Sequence, residues 1–194
     1  MSTRKGRVVL LEEVLNKSIQ LVLDIIQEKN PSLKDKETVA RQIGIGAIIF
    51  GDLSNDRIKD VEFDWDKILD FAGETAPYIQ YSHARICSIL RRESPREDAE
   101  IKGALYTAKE EETLLLTLGR FPEAVERAAD ANKPSIVARY LVDLARDFNH
   151  FYHNCPVLKE EGDTRQARLV LADGVRRVLA RGLYLLGIEA PEAM

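Results

Sequence analysis

The chain has 194 residues, of which 45% are hydrophobic and 31% are charged. This composition is that of a globular protein of one or two domains, and it excludes a disordered tail. Two cysteines are too few for a disulfide framework, so they indicate a reducing compartment. The net charge of −4 argues against a polycation that coats nucleic acid, although it allows a specific RNA-binding protein with a local basic face.

The sequence contains no segment that predicts membrane insertion or export. Its longest apolar run, residues 43–50, is far shorter than the roughly 20 residues that a membrane helix needs. The basic start of the chain is followed by only four apolar residues before Glu12, which is not the pattern of a signal peptide. We therefore expect a cytoplasmic protein with neither a membrane nor a DNA partner.

Apolar residues recur with helical spacing through most of the chain, which predicts an all-α fold. The first long helix begins at Leu11 and ends before Pro31. The second runs from near Asp35, whose side chain is a candidate N-cap, to about residue 50, and Gly44 within it predicts close helix packing. Further helices are predicted at residues 66–71, 77–92, 110–118, 122–131, 134–154 and 163–186.

Two short segments are compatible with β-strands. Residues 7–11 are rich in branched aliphatic side chains, and residues 60–63 contain Val61 and Phe63. If the two segments pair, they form one short β hairpin beside the helices. Residues 93–100 are predicted to form a charged linker.

The helix predicted at residues 77–92 has two distinct faces. Ile79 and Ile86 belong to a stripe with core spacing. A second stripe, with steps of three and four residues, contains Tyr78, Tyr81, Arg85, Ser88 and Arg92. These tyrosines could simply edge the core, or they could stack on unpaired bases while the arginines contact phosphate.

The helix predicted at residues 134–154 carries a long apolar stripe whose first interpretation is core. Its C-terminal end is unusually aromatic, with Phe148, Phe151 and Tyr152 in five residues. Some of these rings could instead face solvent and receive a base.

The last predicted helix is locally basic. One half of its surface contains Arg165, Arg168, Arg176, Arg177 and Arg181, and Asp173 is the one acidic residue in that span. A solvated helix face explains this pattern, and so does a surface that contacts phosphate groups. Under the second interpretation the candidate phosphate contacts are Arg92, Arg165, Arg168 and Arg176.

Motifs for metal binding and for complete catalytic sites are missing from the sequence. His83 and Cys87 are four residues apart, but no CxxC or HxxxH pattern accompanies them, so we expect no metal site. There is neither a phosphate-binding GxxxxGK[ST] loop nor a GxGxxG loop. We therefore expect no complete catalytic site and no cofactor bound by this chain alone.

Several longer strings carry a resemblance that is more specific than these motifs. They are VARQIGIGA at residues 39–47, DLS at 52–54, FDWD at 63–66, TAPYIQY at 75–81, YLVDLA at 140–145 and FNHFY at 148–152. In this order they resemble the C-terminal half of arginyl-tRNA synthetase, the class I arginine–tRNA ligase. The resemblance covers essentially the whole chain.

The first residues also resemble a motif of that family. Met1, Ser2, Thr3 and Arg4 are similar to a degenerate KMSKS loop, the mobile loop that contacts ATP phosphates in class I synthetases. The leading lysine is absent, and Thr3 stands in place of the usual second lysine. The resemblance implies that the nucleotide fold and its HIGH signature lie upstream, so we expect this chain alone to be inactive. It implies ATP and Mg²⁺ for the intact enzyme.

The resemblance also implies a domain organisation. Residues 1–33 would hold the KMSKS-like loop and a linking helix, residues 34–76 a helical stem-contact region, and residues 77–194 the α-helical anticodon-binding bundle of the DALR type. Because arginine anticodons share a central C, one pocket that stacks and hydrogen-bonds a splayed cytosine is a sufficient reader. The residues implied at the anticodon loop of the arginine tRNA are Tyr78, Tyr81, Arg85, Phe148, Tyr152 and Met194.

Two alternatives remain open at the level of sequence. The missing catalytic half could arrive as a separate chain, in which case an apolar face with Leu11, Val14, Leu15 and Ile19 would belong to a docking surface. The chain could also be a helical scaffold without an RNA role, which requires that the aromatic faces are wholly buried.

Overall fold

The computed structural model describes residues 10–56, 64–96 and 103–194. In these ranges the chain forms eight α-helices and a short 3₁₀ turn at Gly103–Leu105, with no strand, which confirms the all-α prediction. The helices are α1 (Leu11–Lys29), α2 (Lys36–Leu53), α3 (Trp65–Ile68), α4 (Ala76–Arg92), α5 (Lys109–Gly119), α6 (Phe121–Ala131), α7 (Ser135–Asn154) and α8 (Gly162–Leu185).

Most predicted helix ends agree with the structure to within a few residues. The hairpin prediction falls largely outside the described residues, since residues 7–9 and 60–63 are not among them, and Leu11 is the first residue of α1. The predicted side-chain cap at Asp35 is wrong. Asp35 has a left-handed backbone with φ 52° and makes no side-chain cap hydrogen bond. An N-cap side chain normally reaches the helix from an extended backbone, which Asp35 does not have.

Two hydrophobic clusters form the interior. The larger cluster is built around α7, whose Leu141 and Leu144 are completely buried among α4, α5, α6 and α8. The smaller cluster lies between α1 and α2, where Val22 packs near Ile43 and α3 closes one side. Among the described helices, none is both long enough and apolar enough to span a bilayer.

Close packing of α1 on α2 depends on Gly44, as predicted. The Ser18 hydroxyl donates to the Gly44 carbonyl at 2.9 Å. A Cβ atom at residue 44 would lie 2.9 Å from the Ile19 Cα, which is backbone and cannot move aside cheaply. The small residue therefore sets the distance between the two helices.

The C-terminal tail, residues 187–194, runs back across α4 and α2 to reach α1. The Gln80 amide donates to the Glu189 carbonyl at 2.8 Å, and the Gln42 amide donates to the Glu189 carboxylate at 2.8 Å. At the end of the tail, the Asn30 amide donates to the Met194 carbonyl at 3.1 Å. These contacts fix Met194 against the smaller hydrophobic cluster. The predicted domain boundaries after residues 33 and 76 stay predictions.

Candidate nucleic-acid interface

Helix α4 presents the two faces that its sequence pattern predicts. It begins with Thr75, whose hydroxyl oxygen accepts from the Tyr78 amide at 3.3 Å, and Pro77 occupies the first turn. Ile79 and Ile86 are completely buried. The members of the second stripe are all at least partly exposed: Tyr78, Tyr81, Arg85, Ser88 and Arg92.

The aromatic end of α7 is divided between core and surface. Phe148 and Phe151 are completely buried, whereas Tyr152 is 41% exposed. The Phe148 ring stacks beneath the Tyr152 ring, with centroids 6.1 Å apart and planes at 27°. This corrects the expectation that Phe148 flanks an anticodon loop directly, because a ring with no exposed surface has no face for a base. Phe148 supports the Tyr152 ring from below.

Tyr81, Arg85 and Tyr152 form a continuous surface unit, which we call the tyrosine–arginine stack. The guanidinium carbon of Arg85 lies 4.6 Å from the Tyr81 ring centre and 5.2 Å from the Tyr152 ring centre. Both distances are within the range of cation–π attraction. Tyr81 is 40% exposed, so each end of the stack offers an aromatic surface to solvent.

Asn149 fixes this stack to the helices beneath it. Its side-chain oxygen accepts from Arg85 Nη1 at 2.5 Å. Its amide nitrogen donates to the Tyr78 hydroxyl at 3.0 Å and to the Ser82 hydroxyl at 2.8 Å. We did not predict Asn149 as a site residue. The sequence offered one signal for it, a polar amide residue between the aromatic residues at the end of this helix.

Met194, the last residue of the tail, shares a cavity with Tyr81. The two residues line a surface cavity of about 460 Å³ whose remaining wall is largely apolar and includes Ile25, Ile43 and Phe71. The tail that carries Met194 is held to α4. Arg91 Nη1 donates to the Glu192 carbonyl at 2.9 Å.

A buried histidine also anchors the tail. The Nδ1 atom of His83 lies 3.0 Å from the Pro191 carbonyl, so this nitrogen is the N–H donor. Burial lowers the pKa of His83, and the positive charge of Arg176 acts in the same direction, against the effect of the Pro191 carbonyl. Burial also disfavours the charged form of the neighbouring Cys87 thiol, which raises its pKa. Both groups are therefore held neutral beneath the tail.

The basic face of α8 is largely neutralised by carboxylates, some from other elements and one, Asp173, from α8 itself. Arg168 donates to the buried Glu111 carboxylate at 2.6 Å and to Glu160 at 2.9 Å. Its side chain is 10% exposed and that of Glu111 is 0% exposed, so Arg168 belongs to a buried ion pair. This corrects its assignment as a phosphate contact, since its donors face inward.

The other predicted phosphate contacts fall into two groups. Arg165 pairs with Glu93 at 3.2 Å, and Arg176 pairs with Asp173 at 2.7 Å. Arg177 shares the same Asp173 carboxylate. Arg92 is exposed and, within the described residues, has no carboxylate at ion-pair distance. Of the four candidates, Arg92 is therefore the one whose guanidinium has no carboxylate partner among the described residues.

The described residues contain no group of three or more His, Cys, Asp and Glu side chains placed to hold a metal ion. The predicted ATP-loop residues, Met1, Ser2, Thr3 and Arg4, lie outside the described residues.

Residues 79–194, more than half of the chain, match the family model of the DALR anticodon binding domain. The chain belongs to the DALR anticodon-binding domain family. Residues 1–65 match the model of the catalytic domain of class I tRNA synthetases (R). The tyrosine–arginine stack and Met194 all lie inside the DALR match, and Tyr78 immediately precedes it.

The similar proteins are arginine–tRNA ligases. The chain is 46% identical over 194 residues to the arginine–tRNA ligase of Alkaliphilus metalliredigens and 48% identical over 196 residues to arginine–tRNA ligase 1 of Bacillus cereus. In each case all of this chain and 34% of the relative are covered. Thermus thermophilus arginyl-tRNA synthetase has the same fold with a TM-score of 0.92 and 38% identity, over all of this chain and 33% of that one. This DALR chain therefore spans about a third of its relatives' length and matches their C-terminal part.

Proposed function

We propose that this chain is the tRNA-binding part of an arginine–tRNA ligase and that its tyrosine–arginine stack contacts the anticodon loop. The observation that carries the proposal is the stack itself: two half-exposed tyrosine rings are joined by one arginine inside the region that matches the DALR family. Unpaired RNA bases are held by stacking on such rings and on guanidinium planes.

The cavity beside Tyr81 is the proposed pocket for the central C of the anticodon. Its apolar wall and the Met194 side chain provide contact surface for one splayed base, and the Tyr81 ring provides a stacking face. The tail is fixed by hydrogen bonds from Gln80, Arg91 and Asn30, so the pocket exists before RNA binds. A preformed pocket avoids the free-energy cost of ordering the tail on binding.

In the complete ligase, arginine would be activated with ATP, bound as its Mg²⁺ complex, before it is transferred to tRNA. We propose that this chain alone binds neither ATP nor Mg²⁺ and catalyses no arginine activation. Arginine-dependent ATP–pyrophosphate exchange by the purified chain would contradict this proposal.

Cytoplasmic localisation is also proposed. Cys87 and Cys155 are both buried free thiols, which is typical of proteins in a reducing compartment.

The exposure of side chains bears differently on the two alternatives, a scaffold without an RNA role and a split ligase. A scaffold without an RNA role requires wholly buried aromatic faces, whereas Tyr81 and Tyr152 are about 40% exposed. For a split ligase completed in trans, one member of the predicted docking face, Leu11, is exposed. Its other members, Val14, Leu15 and Ile19, are half-buried, and Ile19 packs against the smaller cluster. A well-behaved monomer without detergent would count against this second candidate.

The first experiment measures binding of the purified chain to an arginine-accepting tRNA and to the same tRNA with its central anticodon C replaced. Each affinity is measured at two salt concentrations, because phosphate contacts weaken steeply with salt and ignore the base. We expect a preference of roughly 1–3 kcal/mol for C, the usual value of one well-read base. Equal and salt-sensitive binding of both tRNAs would overturn the proposed reading of the anticodon by this chain.

A further inference from the structure

A second cavity, of about 400 Å³, lies at the other end of the tyrosine–arginine stack, between α4 and the segment that follows α7. Arg85 and Tyr152 form one of its walls, whereas Tyr81 belongs to the cavity that contains Met194. The stack therefore lies between two cavities, one beside Tyr152 and one beside Tyr81. None of the predicted anticodon contacts required this second cavity.

The charged side chains that line this cavity are all basic. Its lining contains the basic side chains Arg85, Arg92, His153 and Lys159 and no acidic residue. Arg92, His153 and Lys159 are exposed, and no carboxylate of the described residues lies at ion-pair distance from Arg92 or Lys159. In a chain with a net charge of −4, this local excess of positive charge favours an anionic ligand.

The nearest acidic residues in the sequence are engaged elsewhere. Glu93, which follows Arg92, pairs with Arg165 at 3.2 Å. Glu160, which follows Lys159, pairs with Arg168 at 2.9 Å. Because both carboxylates serve the α8 arginines, Arg92 and Lys159 keep their charge available to a ligand.

The floor of the cavity is apolar. Ile89 and Val157 are almost completely buried beneath it, and Pro156 and Leu158 complete the surface. An apolar floor with cations at its rim matches a nucleotide, which combines a planar base with an anionic phosphate.

We infer that this cavity holds a second nucleotide of the same RNA loop, with its phosphate bound by Arg92 and Lys159 and its base against Pro156 and Leu158. The inference rests on the proposed function and deepens it. The Met194 cavity distinguishes the central base, whereas the second cavity binds a neighbouring nucleotide through its phosphate and contributes affinity without selecting the central base. Arg85, shared by both ends of the stack, sets the spacing between the two bound nucleotides.

The test compares two charge-matched double variants of the chain. R92Q/K159Q removes the free cations of the second cavity, and R120Q/R127Q removes two exposed arginines that line a different cavity between α5, α6 and α7. The probe is the anticodon stem–loop RNA of an arginine tRNA, with its central C intact or replaced. The affinity is measured at several salt concentrations.

We expect R92Q/K159Q to weaken binding roughly tenfold and to flatten the dependence of log affinity on log salt by about 0.7, the contribution of one phosphate contact to unpaired RNA. The preference for the central C should not change. R120Q/R127Q should remain close to the unsubstituted chain.

Each other outcome is decisive. If the chain prefers the central C but the two double variants behave alike, the second-nucleotide site is wrong and the proposed function stands. If the chain shows no base preference but R92Q/K159Q still flattens the salt dependence, the phosphate site stands and anticodon reading fails. If R92Q/K159Q alters the preference for C, the division of roles between the two cavities is overturned. Absence of binding to either RNA overturns both.

Discussion

Two surfaces of this chain carry a tyrosine beside an arginine, and they differ in what surrounds the pair. On α4, Arg85 lies between Tyr81 and Tyr152 and is held by Asn149. On α8, Arg181 lies 5.2 Å from the ring of Tyr184.

The two helices also differ in their neighbours. Most arginines of α8 pair with carboxylates, whereas the α4 surface opens into two cavities and keeps free cations. A count of aromatic and basic residues does not separate the two surfaces. The two cavities and the fixed geometry of the α4 stack separate them, because Arg181, like Arg85, has no carboxylate at ion-pair distance in the described chain.

The largest expected effect concerns the buried ion pair between Arg168 of α8 and Glu111 of α5. Arg168→Met should lower the free energy of unfolding by roughly 3 kcal/mol, because it leaves the buried Glu111 carboxylate without its main partner. Urea denaturation measures the loss. The control is Arg177→Met on the same helix, whose exposed guanidinium shares Asp173 with Arg176. A reduced salt dependence of RNA binding in folded Arg168→Met would contradict our reassignment of Arg168 to the interior.

The next effect sharpens the contrast between the two tyrosine–arginine pairs. Tyr81→Ala should weaken binding of the arginine tRNA by roughly 1–3 kcal/mol, the usual value of one base stacked on an aromatic ring. Tyr81→Phe should retain most of the affinity because it keeps the ring. The matched control is Tyr184→Ala, which removes an exposed ring beside an arginine on α8. Equal losses in Tyr81→Ala and Tyr184→Ala would remove the distinction between the two surfaces.

A smaller effect is expected from the residue that positions the stack. Asn149→Ala should lower the free energy of unfolding by about 1 kcal/mol, since it removes hydrogen bonds to Arg85, Tyr78 and Ser82. It should also weaken RNA binding, because Arg85 loses its anchor. The control is Asn154→Ala at the end of α7, whose exposed amide donates to Glu110. Unchanged RNA affinity in Asn149→Ala would show that the stack does not need this anchor.

Local signals predicted the helices and the exposed stripe well. Pro31, Pro77 and Pro122 mark helix ends in the sequence and in the structure, and the three- and four-residue steps of α4 identify its exposed face. These features depend on neighbours within one or two turns, so a sequence pattern is sufficient to find them.

The remaining features depend on contacts between distant residues. Glu111 is 57 residues from Arg168, and Asn149 is 71 residues from Tyr78. Phe148 and Tyr152 lie one turn apart on α7, yet the packing of neighbouring helices buries one and exposes the other. Neither partner choice nor depth of burial is encoded in the spacing of a single helix, so the buried role of Arg168 was not predicted.

The smallest expected effect concerns His83, the buried histidine of α4 that lies near Arg176 of α8. This ring lies under the tail that carries Met194, and its pKa is lowered below the usual value near 6.5, chiefly by burial and also by Arg176 of α8. Below about pH 6.5 the unfolded chain binds a proton at this site while the folded chain does not. Protonation therefore favours unfolding, and stability should fall as the pH decreases from about 6.5 towards the lowered pKa.

His83→Gln should remove this part of the pH dependence, because glutamine does not titrate. Urea denaturation between pH 5 and 8 measures it, with His150→Gln as the control, since His150 is exposed on α7. If the tail holds the pocket through His83, lowering the pH should also weaken the preference for the central C before the chain unfolds. A His83→Gln curve parallel to that of the unsubstituted chain would mean that His83 is protonated as easily in the folded chain as in the unfolded one. The bond from His83 to the Pro191 carbonyl would then not depend on a neutral ring.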